Sequence, residues 1–331
     1  MRAAAIDVGT NTVRLLVADC GSNQVFTPVL RREQITRLGG GFTEGRLSQA
    51  AIKRTVESLK NFQGILKKSQ AETVFAVGTS VVRNARNRIA FIETVRRETG
   101  IEIHPVSGLV EARLAARGAL LPVNDPDDSA FIFDIGGGST EFIFTSNAEV
   151  LRMETIDLGV VHLTEHYLLT DPPRKGELTA LKETVYPKVA AVRENFQSAG
   201  FYPFSTGAQT RLIGIAGTPT TLAAIDLRLS EYDRGKVTNH CLTSDRIREL
   251  FEDLTKKRAE ERLLTPGLQK GREDLIIPGI IIVEAVMDLF GFAVLRVVDS
   301  GILEGILLSI PPQEHQSLTF RGGTEANERK G

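Results

Sequence analysis

Short apolar runs recur along the chain, and the most informative of them meet at glycine-rich breaks. From Phe131 to Phe144 the sequence is FIFDIGGGSTEFIF: an alternating apolar run closed by Asp134, three glycines, then a second apolar run opened by Ser139, Thr140 and Glu141. The pattern predicts strand, tight turn, strand. Three successive glycines permit φ > 0 and leave amide N–H groups with no side chain above them, so an anionic oxygen can rest against the backbone. Phosphate is the natural occupant. Carboxylates flank the turn on both sides and repel a phosphate unless a divalent cation lies between, which points to Mg²⁺ or Mn²⁺.

The same device stands near the N-terminus. Ala4 to Asp7 is an apolar strand ending in an acid, Gly9, Thr10, Asn11 and Thr12 form the turn, and Val13 to Val17 returns. A shift of 127 positions superimposes Asp7 on Asp134, Gly9 on Gly136, Thr12 on Ser139 and Arg14 on Glu141. Two copies of one phosphate-gripping hairpin predict two related domains facing each other across a cleft.

Other elements follow from the same reading. Val25 to Leu30 predicts a third strand, and Gly39 to Gly41 reads as a flexible loop or a ligand contact. Ser48 caps a helix with Ile52, Val56, Leu59, Phe62 and Leu66 on one face. Thr73 to Val77 is a buried strand that delivers Thr79, Ser80 and Arg83 to a helix start, a setting suited to an oxyanion; Arg83, Arg86 and Arg88 read equally as a solvated face. Ser107 caps a helix carrying Glu111 one turn in, where an α/β fold gathers ligands, although dipole compensation also explains an acid there. Asn124 to Asp128 is the best domain boundary. Beyond the second hairpin, Val150 to Leu158 predicts a strand and Val161 to Leu169 a helix, on which His162 and His166 read as a surface pair. Gly214, Gly217 and Thr218 mark a strand-to-helix junction that is either ligand-facing or a tight core turn, and a loop after Pro266 leads to Arg272. Ile280 to Leu289 is an apolar core helix, Ala293 to Val298 a strand, and Gly301 to Ile310 a last helix that is placed to pack back on the first domain. The expected division is 1–124, 125–312, and a loose tail over 313–331.

Composition narrows the classes. The 331 residues are 42% hydrophobic and 24% charged with a formal net charge of −1, so no global basic field gathers DNA or RNA. Cys20 and Cys241 are too few for a disulfide framework and read as buried, reduced thiols. No leader and no apolar run of membrane-spanning length is evident, which predicts a cytoplasmic protein with no membrane partner.

Six segments in order carry a resemblance: Asp7-x-Gly-Thr-Asn-Thr, Gly78-Thr-Ser-Val-Val-Arg, Ser107-Gly-x-x-Glu-Ala-Arg, Asp134-Ile-Gly-Gly-Gly-Ser-Thr-Glu, Ala216-Gly-Thr-x-Thr-Thr-Leu-Ala and Arg272-x-Asp-x-Ile. Together they resemble the exopolyphosphatase / guanosine pentaphosphate phosphatase (Ppx/GppA) family over about residues 1–310. The resemblance implies an α/β chain of two ribonuclease H-like domains, as in the actin, sugar kinase and heat-shock ATPase superfamily. It implies metal-dependent hydrolysis of terminal phosphate from inorganic polyphosphate or of the 5′ γ-phosphate of guanosine pentaphosphate. Carried over by motif, Glu111 is the general base, and Asp134 and Glu141, with Asp7, hold the metal and position water. Gly9, Thr10, Asn11, Thr12, Gly136, Gly137, Gly138, Ser139, Thr79 and Ser80 hold phosphate oxygens, Arg83 neutralises them, and Gly214, Gly217, Thr218 and Arg272 face the rest of the ligand. A homodimer is expected from the family alone. Val110 departs from the paired acids that members often carry, leaving Glu111 alone and removing a capping box with Ser107. Longer members append an HD-type helical region for which this chain has no room.

Two rival readings share the motifs. An ATP-dependent kinase or actin-like ATPase would use the same hairpins but needs an acceptor pocket with its own base. A non-catalytic sensor of guanosine tetra- or pentaphosphate would bind without releasing phosphate. No Gly-x-x-x-x-Gly-Lys-Ser/Thr loop is present, so the usual NTPase route has no support.

Overall fold

A computed structural model describes residues 1–21, 25–123, 129–201 and 210–310. The expected boundary at 124–128 and the tail from 313 lie outside the described residues. The first half runs β1 (Arg2–Val8), β2 (Thr12–Cys20), β3 (Phe26–Ile35), α1 (Gln49–Lys68), β4 (Thr73–Gly78), α2 (Ser80–Asn84), α3 (Arg88–Thr99), β5 (Ile103–Pro105) and α4 (Gly108–Leu120). The second half runs β6 (Ala130–Ile135), β7 (Thr140–Ser146), β8 (Glu149–Ile156), α5 (Val160–Tyr167), α6 (Lys175–Ser198), β9 (Arg211–Ile215) and α7 (Gly217–Asp226). It continues through α8 (Arg234–Val237), β10 (Cys241–Thr243), α9 (Ser244–Thr255), α10 (Ala259–Arg262), α11 (Ile276–Phe290), β11 (Val294–Val297) and α12 (Ile302–Leu308).

The repeat in sequence is a repeat in topology. One sheet has the order β3-β2-β1-β4-β5; the other contains β8-β7-β6-β9-β11, the same order, with β10 added at its edge. In each, an antiparallel hairpin is followed by a strand that pairs parallel with the hairpin's first member. The chain therefore folds as two ribonuclease H-like domains. The hairpins are also in equivalent register, Asp7 opposite Arg14 and Asp134 opposite Glu141.

Both faces of each sheet are covered, which is why the central strands read as continuous apolar runs. Phe131 and Phe133 of β6 point into a core with Phe142, Phe196 and Phe290, while Ala130 and Ile132 point to the opposite face. Helix α11 fills the first of these cores; its Phe290 ring lies 4.5 Å from that of Phe131. The helix begins earlier than its apolar run predicts, because Pro278 falls in the first turn, where an N–H has no intrahelical partner to lose. Ser48 and Ser107 cap α1 and α4 as predicted, accepting from the N–H groups of Ala51 and Val110. Cys20 is half-buried and Cys241 exposed, so the expectation of two buried thiols fails for Cys241, which sits on the short edge strand β10. His162 and His166 are exposed, and His162 stacks on Phe42. No described helix is long and apolar enough to cross a membrane.

The halves exchange helices. Helix α4, in the first half, lays Ala112, Ala115, Ala116 and Ala119 on the second sheet beside Ile132, Ile143 and Ile213. Helix α12, at the other end of the chain, lays Ile302, Leu303, Ile306 and Leu307 on the first sheet beside Ala3, Ala5 and Leu16. The two helices cross at van der Waals distance through glycines. A β-carbon at Gly118 would fall on the Gly301 carbonyl, and one at Gly305 on the Leu114 carbonyl. The crossing seats Glu111, near the start of α4, between the domains.

Candidate active site

One cavity between the domains gathers most of the residues singled out above. Gly9, Thr10, Asn11 and Thr12 line it from the first turn, Gly136, Gly137, Gly138 and Ser139 from the second, and Thr79 and Ser80 from the end of β4. Asp7, Glu111, Asp134 and Glu141 also line it, with Gly217, Thr218 and Arg272. Sequence reasoning missed two further charged lining residues, Arg14 and Glu33.

The turns are built alike. The N–H of Gly9 donates to the Thr12 carbonyl at 2.9 Å, and that of Gly136 to the Ser139 carbonyl at 2.9 Å. Behind each turn another segment, the loop after β3 for the first and the start of α5 for the second, ties the carbonyls back. Gly39 donates to the Thr10 carbonyl and Thr36 and Arg37 donate to that of Asn11; Val160 and Val161 donate to those of Gly136 and Gly137. In a trans peptide the N–H points opposite to the preceding C=O. The amides of Asn11, Thr12, Gly137 and Gly138 therefore point away from the bracing segments, an arrangement suited to an anion. In the stretch Gly39 to Gly41, read as a flexible loop or a ligand contact, Gly39 braces the first turn.

Two expectations about glycine are corrected. None of Gly136, Gly137 or Gly138 has positive φ. These glycines serve close approach instead: a β-carbon at Gly137 would meet Thr10, and one at Gly138 would lie 3.0 Å from the hydroxyls of Thr10 and Ser80. The second turn thus seats directly against the first domain. Gly214, expected on the ligand side, does not reach the cavity. It lies within β9, where a side chain would press into Pro219, Leu295 and Phe133, so its smallness serves core packing. Gly217 and Thr218, just beyond the strand, do reach the cavity.

Arg83 is also displaced from its expected role. It does not line the cavity; its Nη1 donates to Glu111 Oε2 at 2.7 Å and to the Val106 carbonyl at 3.0 Å. It therefore positions the Glu111 carboxylate from behind. Asp7 is shared: Arg14 donates through Nε (2.9 Å) and Nη2 (2.6 Å), both to Oδ2, while Asp7 Oδ1 is buried with no partner. Arg14 could have been found from the hairpin register, which sets it opposite Asp7 as Glu141 is set opposite Asp134. Glu141 is buried and accepts from the Ser139 hydroxyl at 2.7 Å.

Burial and mutual repulsion hold these acids in an unusual state. Burial pushes Glu111 up to about 7 against the pull of Arg83, with Asp7 and Asp134 adding to the rise. Burial pushes Asp134 up to about 6, opposed by Arg14. Burial, then the charges of Glu111 and Asp134, hold Glu141 well above the usual carboxylate range. The native state thus keeps protons that the unfolded chain releases near pH 4, so these groups stabilise the fold at low pH and lose that contribution as pH rises through about 6 and 7. We expect the thermal midpoint of the protein in chelator to fall between pH 5 and pH 7.5, and Glu141→Gln to flatten the fall. A midpoint that rises over this interval would contradict the assignment.

The donor set fits a divalent cation. Five carboxyl groups line the cavity against two guanidinium groups, those of Arg14 and Arg272, so phosphate meets a negative surface unless a cation intervenes. The unpartnered Oδ1 of Asp7 is an available oxygen of the right kind. Among the described residues no three His, Cys, Asp or Glu side chains are grouped closely enough to hold a metal by themselves. Mg²⁺ needs only one or two carboxylates and completes its shell with water and substrate phosphate.

The whole chain has relatives with this architecture. The Ppx/GppA phosphatase family model matches residues 16–314. Exopolyphosphatase 2 of Mycobacterium tuberculosis is 32% identical, the match covering 93% of this chain and 98% of that one. A crystal structure of the Aquifex aeolicus Ppx/GppA family member matches with a TM-score of 0.76 and 31% identity, covering 93% of this chain and 97% of that one. A crystal structure of an exopolyphosphatase from Cytophaga hutchinsonii matches with a TM-score of 0.82 and 28% identity, covering 93% and 96%. With a family match across nearly its full length, and with paired turns and buried acids facing one cleft, the chain belongs to the Ppx/GppA phosphatase family.

Proposed function

We propose that this protein hydrolyses the terminal phosphoanhydride of inorganic polyphosphate, the 5′ γ-phosphate of guanosine pentaphosphate, or both, with Mg²⁺ or Mn²⁺ and with Glu111 as general base. The observation that carries the proposal is the placement of Glu111. It lines the cleft with Asp134 and Glu141, with one oxygen fixed by Arg83 and a proton affinity near neutrality. A base so placed suits water as the acceptor.

The residues divide the work as phosphoryl transfer requires, by positioning and by neutralising charge. The two turns grip the non-bridging oxygens of the terminal phosphate. Glu111 takes a proton from water as its oxygen bonds to phosphorus, and the anhydride P–O bond breaks on the opposite side. The departing chain or nucleotide leaves as an oxyanion, met by the guanidinium groups of Arg14 and Arg272. Asp7, Asp134 and Glu141 are the carboxylates from which one or two would hold a divalent cation, which would supply positive charge to offset the acids and the substrate phosphate.

The test is phosphate release from short polyphosphate, long polyphosphate, guanosine pentaphosphate and ATP, with Mg²⁺ and with EDTA. We expect release that EDTA abolishes from polyphosphate, guanosine pentaphosphate or both, with little from ATP; release from one alone makes the protein an exopolyphosphatase or a pentaphosphate phosphatase. Binding of guanosine nucleotides without release from any of the four would replace the hydrolase with a sensor.

A further inference from the structure

Glu33 sits where an anion is drawn in. It lies on β3 opposite Arg14 of β2, lines the cavity, and accepts from Arg272 Nη2. Arg272 comes from the loop before α11, so the pair ties the first domain to the second across the cleft. Its guanidinium is otherwise poorly engaged: Nη1 lies over Gly217, and Nε is buried without a partner. Glu33 therefore occupies the cation that a substrate phosphate beyond the terminal one would seek. Partial burial pushes the Glu33 carboxyl up, but the charges of Arg272 and Arg14 outweigh it and hold the group below its usual range. Both guanidinium groups thus act on the same point in space.

We infer that Glu33 is an internal competitor for phosphate: its carboxylate fills the subsite between Arg14 and Arg272 in the free protein and must be displaced when a polyanionic chain binds. The inference rests on the functional reading above, and it adds a residue that sets affinity for the leaving portion of the substrate. Displacement is feasible because the Glu33 side chain is 36% exposed while that of Arg272 is only 13% exposed. The acid can swing to solvent; the arginine stays. A substrate pays twice for the acid, once in the broken ion pair and once in repulsion from a carboxylate left nearby.

The alternative is that Glu33 holds Arg272 in place for the substrate, and the two ideas predict opposite signs. The measurement is calorimetric titration of tripolyphosphate with Mg²⁺ into Glu111→Gln protein, with and without Glu33→Gln, alongside KM for short polyphosphate in the Glu33→Gln single variant. We expect Glu33→Gln to tighten binding roughly 3- to 10-fold and to lower KM in parallel, as removal of one competing charge-assisted contact should. The gain should vanish in an Arg272→Ala background, where nothing is left to compete for. Weaker binding, or binding unchanged by Glu33→Gln, overturns the inference. So does failure of tripolyphosphate to bind at all. If tripolyphosphate binds more tightly but wild-type protein releases no phosphate from any substrate, the hydrolytic reading fails and the competitor remains.

Discussion

Replacing Glu111 with Gln should lower kcat for phosphate release by about 10²–10⁴-fold, the range for a lost general base, without loosening the fold. Gln keeps the volume and keeps an acceptor for Arg83 Nη1, so the start of α4 stays in place. What it loses is the capacity to take a proton from water. It also removes one of the mutually repelling acids beside Glu141, so the variant should melt no lower than wild type at pH 7.5. In wild type, activity should rise with pH through about 7 as Glu111 becomes the free base. Arg83 favours the charged form of Glu111, so Arg83→Met should move that acidic limb to higher pH. A pH–rate profile of the three proteins tests the argument. A Glu111→Gln variant with kcat within tenfold of wild type would remove Glu111 from the chemistry.

Gly305→Val should destabilise the domain junction by about 3 kcal/mol or more, the upper part of the range for forced overpacking. The obstacle is backbone: a β-carbon at Gly305 would overlap the Leu114 carbonyl group and its α-carbon, and no rotamer change clears them. The helices α4 and α12 must separate, and each is packed on the sheet of the opposite domain. Separation also carries Glu111 away from Asp134 and Glu141, and a shift of about 1 Å can cost about 10²-fold in rate. Urea unfolding and kcat should therefore fall together. Gly64→Ala is the control, since a β-carbon there meets nothing within 4 Å; in mid-helix it should stabilise by roughly 0.5–1 kcal/mol. Equal stability of Gly305→Val and wild type would mean that the crossing carries no load.

Much of this architecture is written locally and could be read before any coordinates. The two hairpins announce themselves because strand, acid, turn and strand are contiguous, and their 127-residue offset is the topological repeat itself. Glu111 was accessible for the same reason, being one turn beyond a serine cap. What could not be read depends on contacts between distant segments. Arg83 looks like a phosphate ligand in a list of motifs, yet it serves Glu111, 28 residues later. Gly214 lies in an apolar run where a glycine marks either a ligand or a tight core, and only the approach of Pro219, Leu295 and Phe133 decides for the core. Glu33 falls beyond the predicted third strand, Val25 to Leu30, in a charged stretch with no motif; its partner, Arg272, is 239 residues away.

The helix exchange bears on how such a chain can be divided. Residues 1–123 and 129–310 contain one sheet each, and by strand order each looks like a complete unit. Neither is complete. The first would carry α4 with its alanine face bare and a sheet lacking the cover of α12; the second would have the reverse defect. Produced apart, the halves should each expose apolar surface, and mixed together they should recombine by trading helices, as fragments of a severed chain do when each holds the other's missing wall. The internal repeat thus has the form of two like units that each lend the other one wall.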